Sequence, residues 1–226
     1  MRCQNTSCNR EGNDARPFAT EKEMTRGRFV TLEGVDGAGK STHVAWIAER
    51  LRAPGRKVRV TREPGGTPLA ERLRELVLTE PMDPIAETML LFAARADHVQ
   101  REIGPALAAG DWVLCDRFTD ATFAYQGGGK GVAAELIAHL AQVSHNGLLP
   151  DRTLVFDCPY EVSRERLARA TRAPDRFERE TREFFERVRQ AYLALARSDP
   201  ERIRIIDATG TPEDIKTLVE DEISDI

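Results

Sequence analysis

Residues 34–41 read GVDGAGKS and match the pattern G-x-x-x-x-G-K-[ST] in full. Glycines in such a loop let successive backbone N–H groups curl around an anion without Cβ clashes. A helix opening directly after the loop adds the partial positive charge of its N-terminus. Lys40 reaches the β- and γ-phosphates of a nucleoside triphosphate, and the Ser41 hydroxyl is a ligand for Mg²⁺. Gly34, Val35, Asp36, Gly37, Ala38, Gly39, Lys40, Ser41 and Thr42 are therefore the candidate triphosphate-binding residues. The loop by itself implies a bound triphosphate. It does not separate a kinase from a switch or a motor.

Further segments carry side chains suited to the same chemistry. TREPGGT (61–67) places Arg62 beside a Pro-Gly-Gly turn, where its guanidinium is suited to grip a second phosphate bidentately. A tight turn with a solvated arginine is an equal reading of that segment alone. Asp116 and Arg117 end an apolar run; the acid suits Mg²⁺ or its waters, and the arginine can bridge phosphates. A strand-end salt bridge is the plain alternative. Tyr125 and Gln126 precede three glycines that read as a flexible turn, and an amide offers a base edge both a donor and an acceptor. Phe92 and Arg95 are three apart, hence on one helical face, although a core ring and a surface arginine explain that pair as simply. Residues 164–189 hold nine arginines and six acids. Such a run usually marks a solvated helix, yet Ala170–Pro174 interrupts it, and Arg169, Arg172 and Arg176 flank the break. A flap carrying arginines over a phosphate site is the sharper reading.

These residues need elements to position them, and the periodicity supplies the elements. Strands are expected at 28–34, 57–63, 112–117, 153–158 and 202–208, alternating with helices. Val44, Ile47, Ala48 and Leu51 share one helical face. Leu69, Leu73, Leu76 and Val77 mark a second helix, 84–109 a longer one ending at Gly110, Val132, Leu136, Leu140 and Val143 a further stripe, and Ile215, Leu218 and Val219 the last. Strands alternating with helices give a parallel sheet covered on both faces. The fold class is α/β, a doubly wound five-stranded sheet with helices on both faces. Residues 1–27 are polar and aperiodic and are expected to form a disordered extension; 28–226 form one domain with a lid near 166–178. Ligands on such sheets bind at the carboxyl ends of the strands, where all the segments above lie.

Composition narrows the class. The 226 residues carry a net charge of −4, which argues against a nucleic-acid coat. No apolar run approaches a membrane span, so a cytoplasmic enzyme is expected. Of the four cysteines, Cys115 and Cys158 end strand-like runs and read as buried thiols, while Cys3 and Cys8 alone are too few for structural zinc. The four histidines are scattered and read as structural.

FVTLEGVDGAGKST (29–42), TREPGGTPLAERLRELVL (61–78), LLFAARADHV (90–99), CDRFTDATFAYQGGGKG (115–131), LVFDCP (154–159) and DRFERE (175–180) together resemble bacterial thymidylate kinases, in order and spacing over roughly 28–210. The resemblance implies transfer of a phosphoryl group from MgATP to dTMP by a homodimer. It implies that Asp36 approaches the sugar 3′-hydroxyl and the metal waters, Arg62 binds the dTMP phosphate, and Pro64 sits in a cis peptide. Arg95 then reads the base edge, Arg117 meets the acceptor phosphate, Tyr125 and Gln126 line the thymidine pocket, and Ser41 and Asp116 serve the metal. Some members stack a Phe four residues before the Arg; here Leu91 holds that place and Phe92 follows, so either faces the base. Gly37 stands where other members carry a P-loop arginine. This implies that the lid supplies the transition-state arginine, Arg172 first and Arg169 second, with Arg176 instead paired to Asp175 or Glu178. Alternatives are a kinase of another nucleoside monophosphate, a nucleoside kinase using Glu33 as base, or a non-catalytic nucleotide-binding protein.

Because the first residues precede the first strand and lack periodicity, deleting 1–23 is expected to leave activity and Tm nearly unchanged. A Tm drop of several degrees would show that this segment packs on the core.

Overall fold

The computed structural model describes residues 26–52, 55–169, 175–224 and 226. Five parallel strands form one sheet in the order β2-β3-β1-β4-β5. They are β1 (Phe29–Gly34), β2 (Val58–Arg62), β3 (Trp112–Asp116), β4 (Arg152–Asp157) and β5 (Ile203–Asp207). β1 is buried along its whole length. It lies between β3, with Thr31 opposite Cys115, and β4, with Thr31 opposite Thr153. A central parallel strand has helices on both faces, and β1 accordingly reads as unbroken apolar sequence around one threonine and a terminal Glu33. The chain leaves β1, crosses β3 and returns as β2, so a crevice opens beyond the carboxyl end of β1.

Local signals set the helix starts. Thr67 caps α2 (Pro68–Thr79) by accepting from Ala70 N, with proline at the first position. Asp83 caps α3 (Pro84–His98) in the same way. α1 (Lys40–Arg52) buries Ile47, Ala48 and Leu51. After α4 (Gly104–Ala108), α5 (Thr119–Thr122), α6 (Ala134–His145) and α7 (Tyr160–Ala168), α8 (Arg182–Ser198) buries Phe184, Val188, Tyr192 and Ala196. α9 (Pro212–Ile223) starts with a reciprocal Thr211–Asp214 capping box.

Several expectations are corrected. The long helix 84–109 is α3 and α4 joined by a π-helical turn, Val99–Ile103. Pro105 has no N–H to continue an α ladder, and Gly104 N instead bonds Val99 O. The supposed flexible glycine turn is a second π-helical stretch, Phe123–Gly129, largely buried against α8. In α6 the buried face is Ile137, Ala141 and His145; Val132 precedes the helix and Val143 is 72% exposed. Leu69 and Leu76 on α2 and Leu218 on α9 also face outward, since a sheet-covering helix needs only one buried stripe.

The glycines of the π-helical stretch are there for proximity. A Cβ on Gly128 would stand 2.5 Å from Ala191 Cβ, and one on Gly129 would stand 2.5 Å from the Phe184 ring. On Gly127 the nearest neighbour would be the Ile137 methyl at 3.3 Å. Gly128→Ala is therefore expected to cost about 1–3 kcal/mol by overpacking, and Gly127→Ala clearly less. Urea unfolding of both variants checks this; equal stabilities would mean that α8 yields freely.

Candidate active site

The loop after β1 curls through left-handed backbone at Gly34, Gly37 and Gly39, with φ of 127°, 76° and 97°. A Cβ at Gly34 would stand 2.3 Å from Phe156 O, so the loop is pressed onto β4 and admits no side chain there. Lys40 is buried, its ammonium donating to Gly34 O (2.9 Å) and Val35 O (3.1 Å). Burial, and then the Arg117 charge, pull its pKa down to about 8. An anion in the loop opposes both effects.

Arg117 follows β3 with a φ of 72°, a left-handed conformation rare for a side chain of this size. That turn aims its guanidinium back across the loop. It donates to Asp36 Oδ1 (2.7 Å), Gly34 O (2.9 Å), Tyr125 OH (3.0 Å) and Tyr192 OH (3.2 Å). Tyr125 in turn donates to Asp36 Oδ2 (2.8 Å), and Tyr192 to Glu33 Oε2 (2.7 Å). Burial would raise the Asp36 pKa, but Arg117 and Lys40 hold it below the usual range. Glu33 is pushed up to about 7 by burial and then by Asp120.

Two cavities meet at this cluster, sharing Asp36, Glu63, Arg74, Arg117 and Asp175 as a common wall. One is polar and lined by Gly37, Gly39, Lys40, Ser41, Thr42, Arg62, Asp116 and Arg166. The other is more apolar, lined by Pro64, Leu91, Arg95, Phe118, Thr122, Tyr125, Gln126 and Phe177 among others. Many of the site residues expected from sequence thus line two adjoining spaces.

Within the second cavity Arg95 is 3% exposed. Its Nε donates to Glu63 (2.6 Å), and its NH2 to Phe118 O and Thr122 Oγ1. His98 braces Glu63 from the other side at 3.0 Å. Among the described residues the remaining guanidinium nitrogen, NH1, is buried without a hydrogen-bond partner. Leu91, not Phe92, lines this cavity. Phe92 packs with Val132, Ile137 and Ala141 and stacks on His145, which removes it from the base-facing set. Pro64 follows a cis peptide.

In the polar cavity Asp116 Oδ1 is buried with no hydrogen-bond partner among the described residues, and Ser41 lines the same space. An orphaned carboxylate oxygen beside a hydroxyl suits a hard cation that keeps most of its waters and binds the phosphates. Arg62 lies in this cavity, 54% exposed and paired with Glu71, and does not reach the cavity of Arg95.

Other arginines sit differently from expectation. Arg169 is 74% exposed and paired with Glu165, facing neither cavity. Arg172, Cys3 and Cys8 lie outside the described residues. Arg176 pairs with Glu87 and donates to Val77 O rather than being confined to its own segment. Sequence reasoning passed over Arg74, on the shared wall, and Arg166, whose NH1 donates to Ala38 O of the phosphate loop (3.2 Å). Arg74 could have been found from its helical position just after the TREPGGT loop. Arg166 lay hidden among the many arginines of the charge run.

A carboxyl group whose folded pKa exceeds its unfolded value contributes stability that is complete below the unfolded value and lost as pH rises through the folded one. For Glu33 that window runs from the ordinary 4.5 to about 7. Asp36 and Glu63, both held low, act oppositely: their contribution is present above the ordinary range and lost at acid pH. Glu33→Gln keeps an acceptor for Phe118 N, while its NH₂ replaces the oxygen that accepts from Tyr192, whose hydroxyl must then turn to accept instead. It is expected to flatten the fall in Tm across that window, from about pH 4.5 to about 7. An unchanged slope would place the titration elsewhere.

The comparisons agree with this geometry. The thymidylate kinase family model matches residues 32–219. A thymidylate kinase of Bordetella petrii is 59% identical over 198 residues, covering 88% of this chain and 95% of the relative. One of Bordetella pertussis is 57% identical over 201 residues, covering 89% and 96%. The crystal structure of thymidylate kinase from Ehrlichia chaffeensis superposes with a TM-score of 0.69 at 30% identity, covering 86% of this chain and 98% of that one. Matched across nearly its whole folded length, with the phosphate loop and the second cavity both in place, the chain belongs to the thymidylate kinase family.

Proposed function

We propose that the protein transfers the γ-phosphoryl group of ATP to dTMP, releasing ADP and dTDP. The observation that carries this reading is the shared wall. The phosphate loop and the cavity of Arg95 open on opposite sides of the same Asp36–Arg117 pair, so that two phosphorylated ligands meet there end to end. The relatives' name, thymidylate kinase, supports dTMP as the acceptor, and the phosphate loop supports a nucleoside triphosphate, taken as ATP, as the donor.

The chemistry follows from placement. An ionised oxygen of the dTMP phosphate attacks the γ-phosphorus, the bond to the β-bridging oxygen breaks, and ADP carries the charge away. No base is needed, because the attacking oxygen is already ionised near neutral pH. Positioning and charge neutralisation dominate such transfers. Lys40 and the loop amides hold the donor, and Arg117 and Arg74 face both ligands' phosphates. Arg62 enters from the polar side, and Asp36 approaches the acceptor sugar. Arg95 NH1 takes the carbonyl edge of thymine, with Gln126, Tyr125 and Leu91 around it. Mg²⁺ held by Ser41 and Asp116, when bound, neutralises phosphate charge. Arg166 serves the donor, and Arg172 remains the proposed transition-state arginine of the lid. Arg169 takes second place because it is already paired in the open.

A nucleoside kinase is disfavoured by Glu33: it is fully buried, and both carboxylate oxygens accept internal bonds. The homodimer belongs to the same proposal. The exposed Leu69 and Leu76 of α2 and Ile85 and Met89 of α3 support an apolar contact face. Among the described residues no helix is long and apolar enough to cross a membrane. A cytoplasmic location is part of the proposal.

Coupled ADP release measured with dTMP, dUMP, dCMP, dGMP and dAMP tests the reading, with dTMP expected to be turned over best. Lys40→Met should abolish turnover with the fold retained, and Arg172→Ala should slow single-turnover transfer by roughly 10²-fold while Arg169→Ala does not. Lys40→Met activity near wild type, or equal loss in both lid variants, would contradict these roles.

A further inference from the structure

Glu87, on α3, is fully buried beside the second cavity, and the reaction as described makes no use of it. Three groups converge on its carboxylate. Gln126 Nε2 donates to Glu87 Oε1 at 2.8 Å. Lys130 Nζ donates to Oε2 at 2.8 Å, and Arg176 NH2 to the same Oε2. The carboxylate belongs to no part of the phosphate machinery, yet it holds the one amide that faces the base pocket.

We infer that Glu87 is a specificity-determining positioning residue: it fixes the Gln126 amide so that an acceptor, Oε1, and not the NH₂ group, is offered to the base. A carboxylate clamped by two cations can only accept, so the amide nitrogen must turn toward it. The amide oxygen is then left for the cavity that Gln126 lines. Arg95 NH1 supplies an unpartnered donor in the same cavity. A donor and an acceptor on the wall of one cavity suit a base edge with a carbonyl next to a ring N–H, as in thymine and uracil. Cytosine presents the reverse, an amine next to a bare ring nitrogen. A buried polar mismatch of this kind is what makes a site reject an analogue strongly. This inference rests on the reading of the second cavity as the dTMP site.

The cations also dictate what substitution does. In Glu87→Gln the new amide must keep its oxygen toward Lys130 and Arg176, because a second donor there would face two positive charges. Its NH₂ then points at Gln126, whose amide must rotate to accept from it. The rotated Gln126 turns its NH₂ into the pocket.

The test measures kcat/KM for dTMP and dCMP in the full-length enzyme, for wild type, Glu87→Gln, Gln126→Met and the double variant, with Tm for each. The ratio of dTMP to dCMP is expected to fall roughly tenfold or more in Glu87→Gln, mainly by loss of dTMP activity, since one hydrogen bond in a buried site is reversed. Gln126→Met should lower the ratio as well, and adding Glu87→Gln to it should lower it no further. If Glu87→Gln loses Tm and activity toward both nucleotides but keeps the wild-type ratio, Glu87 is only structural and the inference fails. If the Glu87 effect persists in the Gln126→Met background, it does not act through Gln126 and the inference also fails. If wild type itself shows no preference for dTMP, the reading of the pocket falls, and this inference with it.

Discussion

The pairing of Arg117 with Asp36 is the constraint on which the site depends. It joins the residue after β3 to the phosphate loop after β1, and through Tyr125 and Tyr192 it draws in the π-helical stretch and α8. A half-buried ion pair gives little net stability for its desolvation cost. Its value here is positional: one guanidinium satisfies four acceptors on three segments at once, the phosphate loop, the π-helical stretch and α8. The left-handed backbone at Arg117 is the conformational cost of aiming it. With this cluster in place, the donor and acceptor spaces acquire a common wall. Without it they would be unrelated grooves at the edge of a sheet.

Beneath the cluster, a second layer keeps it from settling elsewhere. Glu33 accepts from Phe118 N and from Tyr192, so the strand that carries the loop also fixes the turn that carries Arg117. Arg202, Asp120, Thr153 and Thr31 continue the polar chain through the sheet. On the acceptor side Glu63, Arg95 and His98 form a comparable buried set. Polar groups this deep are tolerated because most are matched, and among those left over within the described residues, Arg95 NH1 and Asp116 Oδ1 belong to residues that line the two cavities.

Much of this was legible in the sequence because it depends on local chemistry. The phosphate loop, the five strands and the convergence of their carboxyl ends follow from pattern and chain direction. What escaped depends on tertiary choice. Phe92 and Leu91 are equally apolar, and only the packing of α6 decides that the ring turns to the core. Three glycines in a row read as a loose turn until α8 presses on the second and third, Gly128 and Gly129, too closely for a side chain. Leu69, Leu76 and Val143 fit helical stripes, yet face outward. Glu87 gave no signal, since an acid early in a helix is commonplace and its partners come from residues 126, 130 and 176. The candidate lid arginines differ for another reason: a charge run has no periodicity that ranks one member over the next.

Cys115 lies directly under Arg117, its thiol donating to the Arg117 carbonyl at 3.1 Å, and burial followed by the nearby carboxylates pushes its pKa far up. Such a thiol is inert while the strand ends stay closed. Alkylation at this position therefore requires the β3 end to lift from its neighbours, so the labelling rate, read site by site in a mass spectrometer, counts openings of the floor beneath Arg117. The native sequence thus carries its own clock for local unfolding at the wall shared by the two cavities, with no probe to be engineered.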